Sequence, residues 1–208
     1  DGALREGLLY DYIGRLHDED ARERSVRALA RRYSVDPEQA SRVAETSAAL
    51  LEQARTGWQL DSVFARQVLK WAARLHEIGL DISHEGFHRH GSYVAEHADL
   101  PGFPHVEQRT LAFLIASQRR HLDEARRATL PAHIREAALR LAILLRLAVL
   151  LNRSRSSKPQ PVVALAVDEN SATVRFPNGW LHDNPLTVAD LDRETDYLNE
   201  VGYTLTYV

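Results

Sequence analysis

The 208-residue sequence contains no cysteine. This absence excludes disulfides and thiolate metal sites, so any metal ion would need histidine and carboxylate ligands. It is also compatible with a reducing compartment. We therefore expect a cytoplasmic protein, with peripheral attachment to a membrane as a further option.

Long apolar segments are missing as well. The longest apolar run, 137–151, is interrupted by Arg140 and Arg146, and it is shorter than the roughly 20 residues that a spanning helix requires. The first twenty residues are broken by charges, unlike a signal peptide. With 44% hydrophobic residues, the chain can form a core, and we predict a soluble protein without a transmembrane segment.

Lysine is nearly absent, since Lys70 and Lys158 are the only two. The remaining cations are arginines, whose guanidinium groups suit phosphate, although genomic base composition explains the bias equally well. Charge is also unevenly distributed. From Gln160 onward the chain carries eight acidic and two basic residues, so this tail has a net charge of −6 and the preceding body of +3.

Helical periodicity dominates the body. Asp36-Pro37-Glu38-Gln39 is a strong helix start, because Asp caps, Pro occupies the first turn and Gln39 can complete a capping box. Helices are predicted over 4–13 (with Leu4, Leu8, Leu9 and Ile13 on one stripe), 21–33, 36–55, 61–79, 91–97, 106–117 and 131–153. The last of these is apolar almost all round, which places it in the middle of a bundle.

The pattern changes after a polar, proline-bounded segment at 153–161. Two β-branched runs, VVALAVD and SATVRF, flank a turn at 168–170 and indicate a hairpin. Thr187-Val-Ala-Asp190 has capping-box form and predicts a helix to about Glu200, followed by a strand, YTLTYV. We predict a mostly α protein, with an HD-like helix bundle at 1–158 and a small α+β (ββαβ) domain at 159–208.

The stretch Ala72–Gly91, AARLHEIGLDISHEGFHRHG, is the chemically richest part of the sequence. An apolar helix ends in His76-Glu77, and Gly79 is predicted to cap it. Burying such a pair is costly unless partners satisfy it, so it indicates either a phosphate- or metal-handling site or a structural remnant. The nearby histidines His84, His88 and His90 can be assigned to zinc, to phosphate or to structure.

LHEIGL resembles the HD-domain signature. In that signature two imidazoles and two carboxylates hold a divalent metal that activates water against a phosphate ester. The matching positions here are Gln39 for the early histidine, His76, Glu77 for the aspartate and Val149 for the late aspartate. Only His76 is unchanged, so we predict a degenerate site without bound metal.

A wider resemblance covers essentially the whole chain. LREGLLYD, RSVRALARRYSVDPEQASRVAE, AARLHEIGLDISHEGFHRHGSYVAEHADLPGF and PLTVADLDRETDYLNEVGYTL together resemble the C-terminal region of the exopolyphosphatase and guanosine pentaphosphate phosphohydrolase (Ppx/GppA) family. The resemblance implies that catalysis belongs to two actin-like N-terminal domains absent here, with Mg²⁺ expected for the full-length enzyme. It also implies that this part binds inorganic polyphosphate, contacts its own N-terminal catalytic domains and forms a homodimer.

Polyphosphate carries about one charge per phosphate, so its binding should depend on cationic side chains and fall with salt. Three clusters are candidates, and each is equally compatible with ordinary solvated or structural residues. Whether they face one groove is not predicted. The candidate contacts are His88, Arg89 and His90; Arg119, Arg120 and His121; and Arg153, Arg155 and Lys158.

Two other functions stay open: an active HD-type, metal-dependent nucleotide phosphohydrolase and a purely structural dimerisation module. No interleaving of aromatic and basic residues suggests nucleic-acid binding. We predict a chain that is not catalytic by itself, with no catalytic residue and no cofactor of its own.

Overall fold

The computed structural model of the protein describes residues 21–156 and 161–208. The predicted first helix with Leu4, Leu8, Leu9 and Ile13, and the candidate Lys158, lie outside these residues. The described chain forms nine helices and one three-stranded sheet at its C-terminal end. The predicted fold class, a helical bundle followed by a small α+β unit, is thereby confirmed. None of the described helices is long and apolar enough to cross a membrane.

The elements follow the predicted order. The helices are α1 (21–32), α2 (Pro37–Ala54), α3 (Val63–Leu75), α4 (Phe87–His97), α5 (His105–Ser117), α6 (Glu124–Ala128), α7 (Ala132–Leu151), α8 (Trp180–Asp183) and α9 (Pro185–Asn199); the strands are β1 (Ala164–Asp168), β2 (Ser171–Arg175) and β3 (Thr204–Tyr207). The short helices α6 and α8 were not predicted.

Helix α2 begins as its sequence predicts, with one correction. The Asp36 carboxylate accepts hydrogen bonds from the backbone N–H groups of Glu38 (2.9 Å) and Gln39 (3.1 Å), and Pro37 occupies the first turn. The Gln39 side chain does not close a capping box: its amide oxygen accepts from the Arg42 guanidinium at 3.0 Å, and its amide nitrogen donates to the carbonyl of Asn152 at 2.9 Å. The second of these bonds connects α2 to the end of α7.

Helix α3 ends at Leu75, so His76 and Glu77 lie in the turn that follows it. The prediction that Gly79 caps this helix is wrong. A Cβ at Gly79 would lie 1.9 Å from the Phe87 carbonyl oxygen and 2.6 Å from the Gly91 nitrogen. Gly79 is therefore required because the backbone of α4 crosses here, and α4 itself begins four residues before the predicted start.

Helix α7 occupies the centre of the bundle, as its nearly uniform apolar surface predicts. Its inner residues pack against α2, α3 and α5 in one continuous cluster of buried apolar side chains. Arg146 is the exception, a charged residue only 1% exposed inside this core. Its partners are part of the site described below.

The C-terminal unit has the predicted ββαβ order, with α8 added. Strands β1 and β2 form an antiparallel hairpin in which Asp168 faces Ser171, and β3 lies parallel to β2. The helix α9 begins at Pro185, and Asn184 at its N-terminus makes no side-chain cap bond. The predicted start at Thr187 was wrong because proline already fixes the first turn two residues earlier.

This unit packs directly on the bundle. The Trp58 indole N–H donates to the Asp168 carbonyl at 2.8 Å, and the Arg140 guanidinium donates to Tyr203 Oη (2.9 Å) and to the Trp58 and Glu169 carbonyls (3.0 Å each). Buried residues of both parts belong to one core cluster. The boundary between two domains near 158 stays a prediction.

Candidate functional site

An open cavity of about 690 Å³ lies where the turn after α3, the turn after α5, the end of α7 and α9 meet. Both the bundle and the C-terminal unit contribute to it, so the site exists only when the two are packed together. Its lining residues are Gln39, His76, Glu77, Leu80, His84, Phe87, Gln118, Arg119, Arg120, Arg146, Val149, Leu150, Arg153, Arg155, Asp190, Arg193, Glu194 and Tyr197.

The four positions predicted from the HD signature converge on this cavity. Gln39, His76, Glu77 and Val149 all contribute to its wall, although they come from three separate parts of the chain. The resemblance to the HD signature predicted these positions as a degenerate site, and that assignment stays a prediction. The chemistry of these four residues is different from that of a metal site, because two of them offer no histidine or carboxylate.

His76 is a buried, neutral histidine. Its Nδ1 lies 2.6 Å from the Ala73 carbonyl oxygen, which assigns the ring proton to that nitrogen. Its Nε2 lies 3.7 Å from Glu77 Oε1 and has no hydrogen-bond partner among the described residues. Burial lowers the pKa of His76, against the opposing effect of the Glu77 carboxylate.

Glu77 is paired with a guanidinium. Arg155 forms an ion pair with Glu77 and also reaches Asp36 at 3.0 Å. The carboxylate closest to His76 is thus already neutralised by a cation of the chain itself. The contact also ties the segment after α7 to the start of α2.

These residues do not fit a divalent metal ion. The Gln39 amide is committed to Asn152, Val149 is apolar, and Glu77 is bound by Arg155. In the parts of the chain that the structure describes, no group of three or more His, Asp or Glu side chains is arranged to hold a metal. No chemical step at this site is therefore assigned to a metal ion.

Arginine dominates the cavity. Six arginines line it against three carboxylates, Glu77, Asp190 and Glu194. Arg146 pairs with Glu194, Arg153 with Asp190 and Arg155 with Glu77, while Arg193 lies 3.8 Å from Asp190. The carboxylates are thus all engaged, and positive charge remains in excess.

Arg119 and Arg120 provide that excess. Within the described residues neither side chain has a carboxylate partner. The Arg119 guanidinium carbon lies 4.9 Å from the centre of the Phe87 ring. Burial, followed by the charges of Arg120 and Arg153, lowers the pKa of Arg119. Two adjacent, unneutralised guanidinium groups in a concave site are a strong anion-binding arrangement.

The predicted contact residues are only partly brought together. Arg119, Arg120, Arg153 and Arg155 line the same cavity, so the second and third clusters meet there. His121 points elsewhere, since it is exposed and lies 2.7 Å from the Glu200 carboxylate. The phosphate contacts predicted for this residue and for Lys158 stay predictions.

The first predicted cluster lies beside the cavity without lining it. Arg89 is exposed and His90 half-buried, whereas His88 is only 7% exposed and its Nδ1 has no partner among the described residues. Burial, and then the charges of Arg119 and Arg89, lower the pKa of His88 to about 4. His88 therefore sits, uncharged, in the positive field of this region. His76 and His84 are the two histidines that line the cavity.

Three residues that line the cavity were not predicted from the sequence. Arg146, Glu194 and Tyr197 line the cavity and interact with one another: Arg146 Nη2 lies 2.9 Å from Glu194 Oε2, and its guanidinium carbon 5.5 Å from the Tyr197 ring centre. One signal was available, because Arg146 is a lone charge in the apolar run AILLRLAVLL. A charge placed there needs a buried partner.

The fold and this cavity together define a helical bundle with an appended α+β unit and a cationic site at their junction. The model of the "Ppx/GppA phosphatase, domain III" family matches residues 21–195. The chain belongs to the Ppx/GppA phosphatase family, and the predicted resemblance is confirmed.

Curated relatives agree with this assignment. The chain is 36% identical over 205 residues to the guanosine-5'-triphosphate,3'-diphosphate pyrophosphatase of Aeromonas hydrophila, and 35% identical to the proteins of the same name from Aeromonas salmonicida (205 residues) and Vibrio atlanticus (207 residues). The matches cover 97–98% of this chain but 41% of each relative. The chain thus spans less than half the length of the curated relatives it matches.

Proposed function

We propose that this chain binds the phosphate chain of an anionic substrate in the arginine-lined cavity, while parts of the enzyme outside this chain hydrolyse the terminal phosphate. The ligand we propose first is inorganic polyphosphate. We further propose that this chain is an HD-like domain plus terminal domain whose metal site has been lost.

The observation that carries the proposal is the pair Arg119 and Arg120. The cavity carboxylates are paired with other arginines, so a ligand does not have to displace a carboxylate to reach these two guanidinium groups. Guanidinium groups form bidentate hydrogen bonds with phosphate oxygens. A flexible polyanion could contact both while passing Arg153 and Arg193 along the same wall.

The residues at the four metal-ligand positions of the HD signature support a non-catalytic role. Hydrolysis of a phosphoanhydride by an HD-type site needs a metal that activates water. Here Arg155 neutralises Glu77, and Gln39 and Val149 replace the other two ligands. The resulting site is suited to holding phosphate groups rather than to cleaving them.

The names of the relatives suggest a second source of the same ligand chemistry. Guanosine-5'-triphosphate,3'-diphosphate also presents a run of phosphate groups. Both ligands would meet the same arginines, so their shared phosphoanhydride chain is the proposed ligand, and binding assays can separate the two sources.

The test is equilibrium binding of long-chain polyphosphate to the 208-residue chain at low and high salt. We expect saturable binding that weakens with salt. The variant Arg119→Ala/Arg120→Ala should bind about a hundredfold or more weakly, since it loses two charge-assisted contacts that are each worth about 1.5–3 kcal/mol. The control Arg66→Ala/Arg175→Ala removes two exposed arginines that do not line the cavity.

The result that would overturn the proposal is equal loss of affinity in the two double variants, or no saturable binding at all. A parallel titration with guanosine-5'-triphosphate,3'-diphosphate identifies the ligand source. Tighter binding of the nucleotide per phosphate would assign the cavity to the nucleotide.

An active metal-dependent phosphohydrolase is the second candidate, favoured by the unpartnered Nε2 of His76 in the cavity wall. Metal analysis of the purified chain, and phosphate release with Mn²⁺ or Mg²⁺, distinguish it. Stoichiometric metal together with turnover that is lost in His76→Ala would support this candidate.

Dimerisation is a further part of the proposal. Sedimentation equilibrium of the chain with and without polyphosphate tests it. A dimer that binds no anion would support a purely structural module instead.

A further inference from the structure

Arg146 is buried in the middle of the bundle, yet its contacts point to the cavity. Its side chain is fully buried, and burying a guanidinium is costly unless it is paired and hydrogen-bonded. All the other residues of the run AILLRLAVLL are apolar. The reason for an arginine here must therefore lie in what it binds.

The Arg146 guanidinium donates to the backbone at both ends of the turn after α5. It binds the carbonyl of Ser117, the last residue of α5, and, at 2.7 Å, the Arg120 carbonyl. Arg119 lies between these two bonded carbonyls, and Arg120 carries the second of them. Arg120 adopts φ = 60°, a left-handed conformation that is unfavourable for a residue other than glycine, so the turn needs a contact that holds it.

Arg146 also removes a negative charge from the cavity. Glu194 of α9 forms a two-point contact with its guanidinium, including Nη2–Oε2 at 2.9 Å. An unpaired Glu194 would face the same space as Arg119 and Arg120 and repel phosphate. The ion pair thus joins α9 to the bundle and keeps Arg119 and Arg120 available.

We propose that Arg146 is a positioning residue for the anion site, which sets the turn bearing Arg119 and Arg120 through its bonds to the Ser117 and Arg120 carbonyls. This inference rests on the proposed phosphate-binding function. The positioning role predicts that packing of α9 on the bundle affects anion affinity. The reason is that Glu194 of α9 binds the Arg146 guanidinium, and this guanidinium binds the turn that carries Arg119 and Arg120.

The decisive variant is Arg146→Met/Glu194→Leu. Replacing a buried ion pair by apolar residues of similar volume is often neutral for stability, and removal of both charges leaves the net charge of the cavity unchanged. We expect a thermal midpoint close to that of the wild type, but polyphosphate binding about tenfold weaker, because the turn has lost its two anchors. The single variant Arg146→Met should lose both stability and affinity.

A second variant keeps a cation beside Glu194 but removes the fork of the guanidinium. In Arg146→Lys a single ammonium nitrogen cannot replace the separate guanidinium nitrogens that donate to the Ser117 carbonyl, the Arg120 carbonyl and Glu194. Arg146→Lys should weaken polyphosphate binding by about threefold or more, the effect of losing at least one hydrogen bond to the turn.

The outcomes separate the two proposals. Wild-type affinity in the folded double variant would overturn the positioning role while leaving phosphate binding intact. If the double variant does not fold, Arg146→Lys decides: weaker binding supports the role, and unchanged binding overturns it. Absence of polyphosphate binding by the wild type would overturn the proposed function and this inference with it.

Discussion

Lowering the pH should destabilise the protein through His88. Its pKa in the folded chain is lowered from 6.5 to about 4, first by burial and then by the surrounding arginines. Because the folded-state pKa lies below the unfolded one, the unfolded chain binds more protons between these two values. Stability should therefore fall as the pH decreases from about 6.5 to about 4.

The magnitude follows from the shift. Each pKa unit corresponds to about 1.4 kcal/mol, so moving from pH 7 to pH 5 should cost at most about 2 kcal/mol through this residue. Solvent screening reduces this value, and we expect about 1 kcal/mol. The variant His88→Gln cannot be protonated, so its free energy of unfolding should depend less on pH in this range.

The assay is urea unfolding of wild type and His88→Gln at pH 7, 6 and 5. The difference between their free energies of unfolding should change by about 1 kcal/mol over this range. A constant difference would refute the assignment of His88 as a buried neutral base.

An anion bound at Arg119 and Arg120 should also raise the pKa of His88, because its negative charge offsets the surrounding arginines. An NMR titration of the His88 ring proton with polyphosphate can detect this change.

Three further predictions concern stability and are tested by urea unfolding. Gly79→Ala should cost about 3 kcal/mol or more, since its Cβ would clash with backbone atoms, whereas Gly179→Ala, with open space but positive φ, should cost only about 1–2 kcal/mol; equal costs would contradict the close approach. Asp36→Ala should cost about 1 kcal/mol through loss of the α2 cap, and Asp36→Asn should restore most of it; no rescue by Asn would count against capping. Trp58→Phe should cost about 1 kcal/mol by removing the bond to the Asp168 carbonyl, and an unchanged midpoint would show that this bond does not stabilise the packed C-terminal unit.

Local sequence patterns predicted most of the elements because the signals are local. The proline and aspartate before α2, the apolar period of α3 and α7, and the β-branched runs of the hairpin each follow from short-range rules. The errors occurred where tertiary contacts replaced local ones. Gln39 bonds to Asn152 far along the chain, and Gly79 serves a backbone crossing rather than a cap.

The site was predictable in composition but not in arrangement. The HD signature directed attention to His76 and Glu77, and the arginine clusters were recognisable because their members are neighbours in the sequence. Which clusters meet depends on how α5, α7 and α9 pack, and no short-range rule encodes that. Arg146 illustrates the limit: its burial was visible in the sequence, but its partner Glu194 lies in another part of the fold.

The salt dependence of polyphosphate affinity tests the central proposal most directly. A plot of log affinity against log salt concentration should be linear and steep for the wild type, because each arginine contact releases counterions. Loss of Arg119 and Arg120 should reduce the slope by about 1 to 2, with the slope of Arg66→Ala/Arg175→Ala unchanged. Equal slopes for wild type and Arg119→Ala/Arg120→Ala would contradict phosphate binding at this cavity.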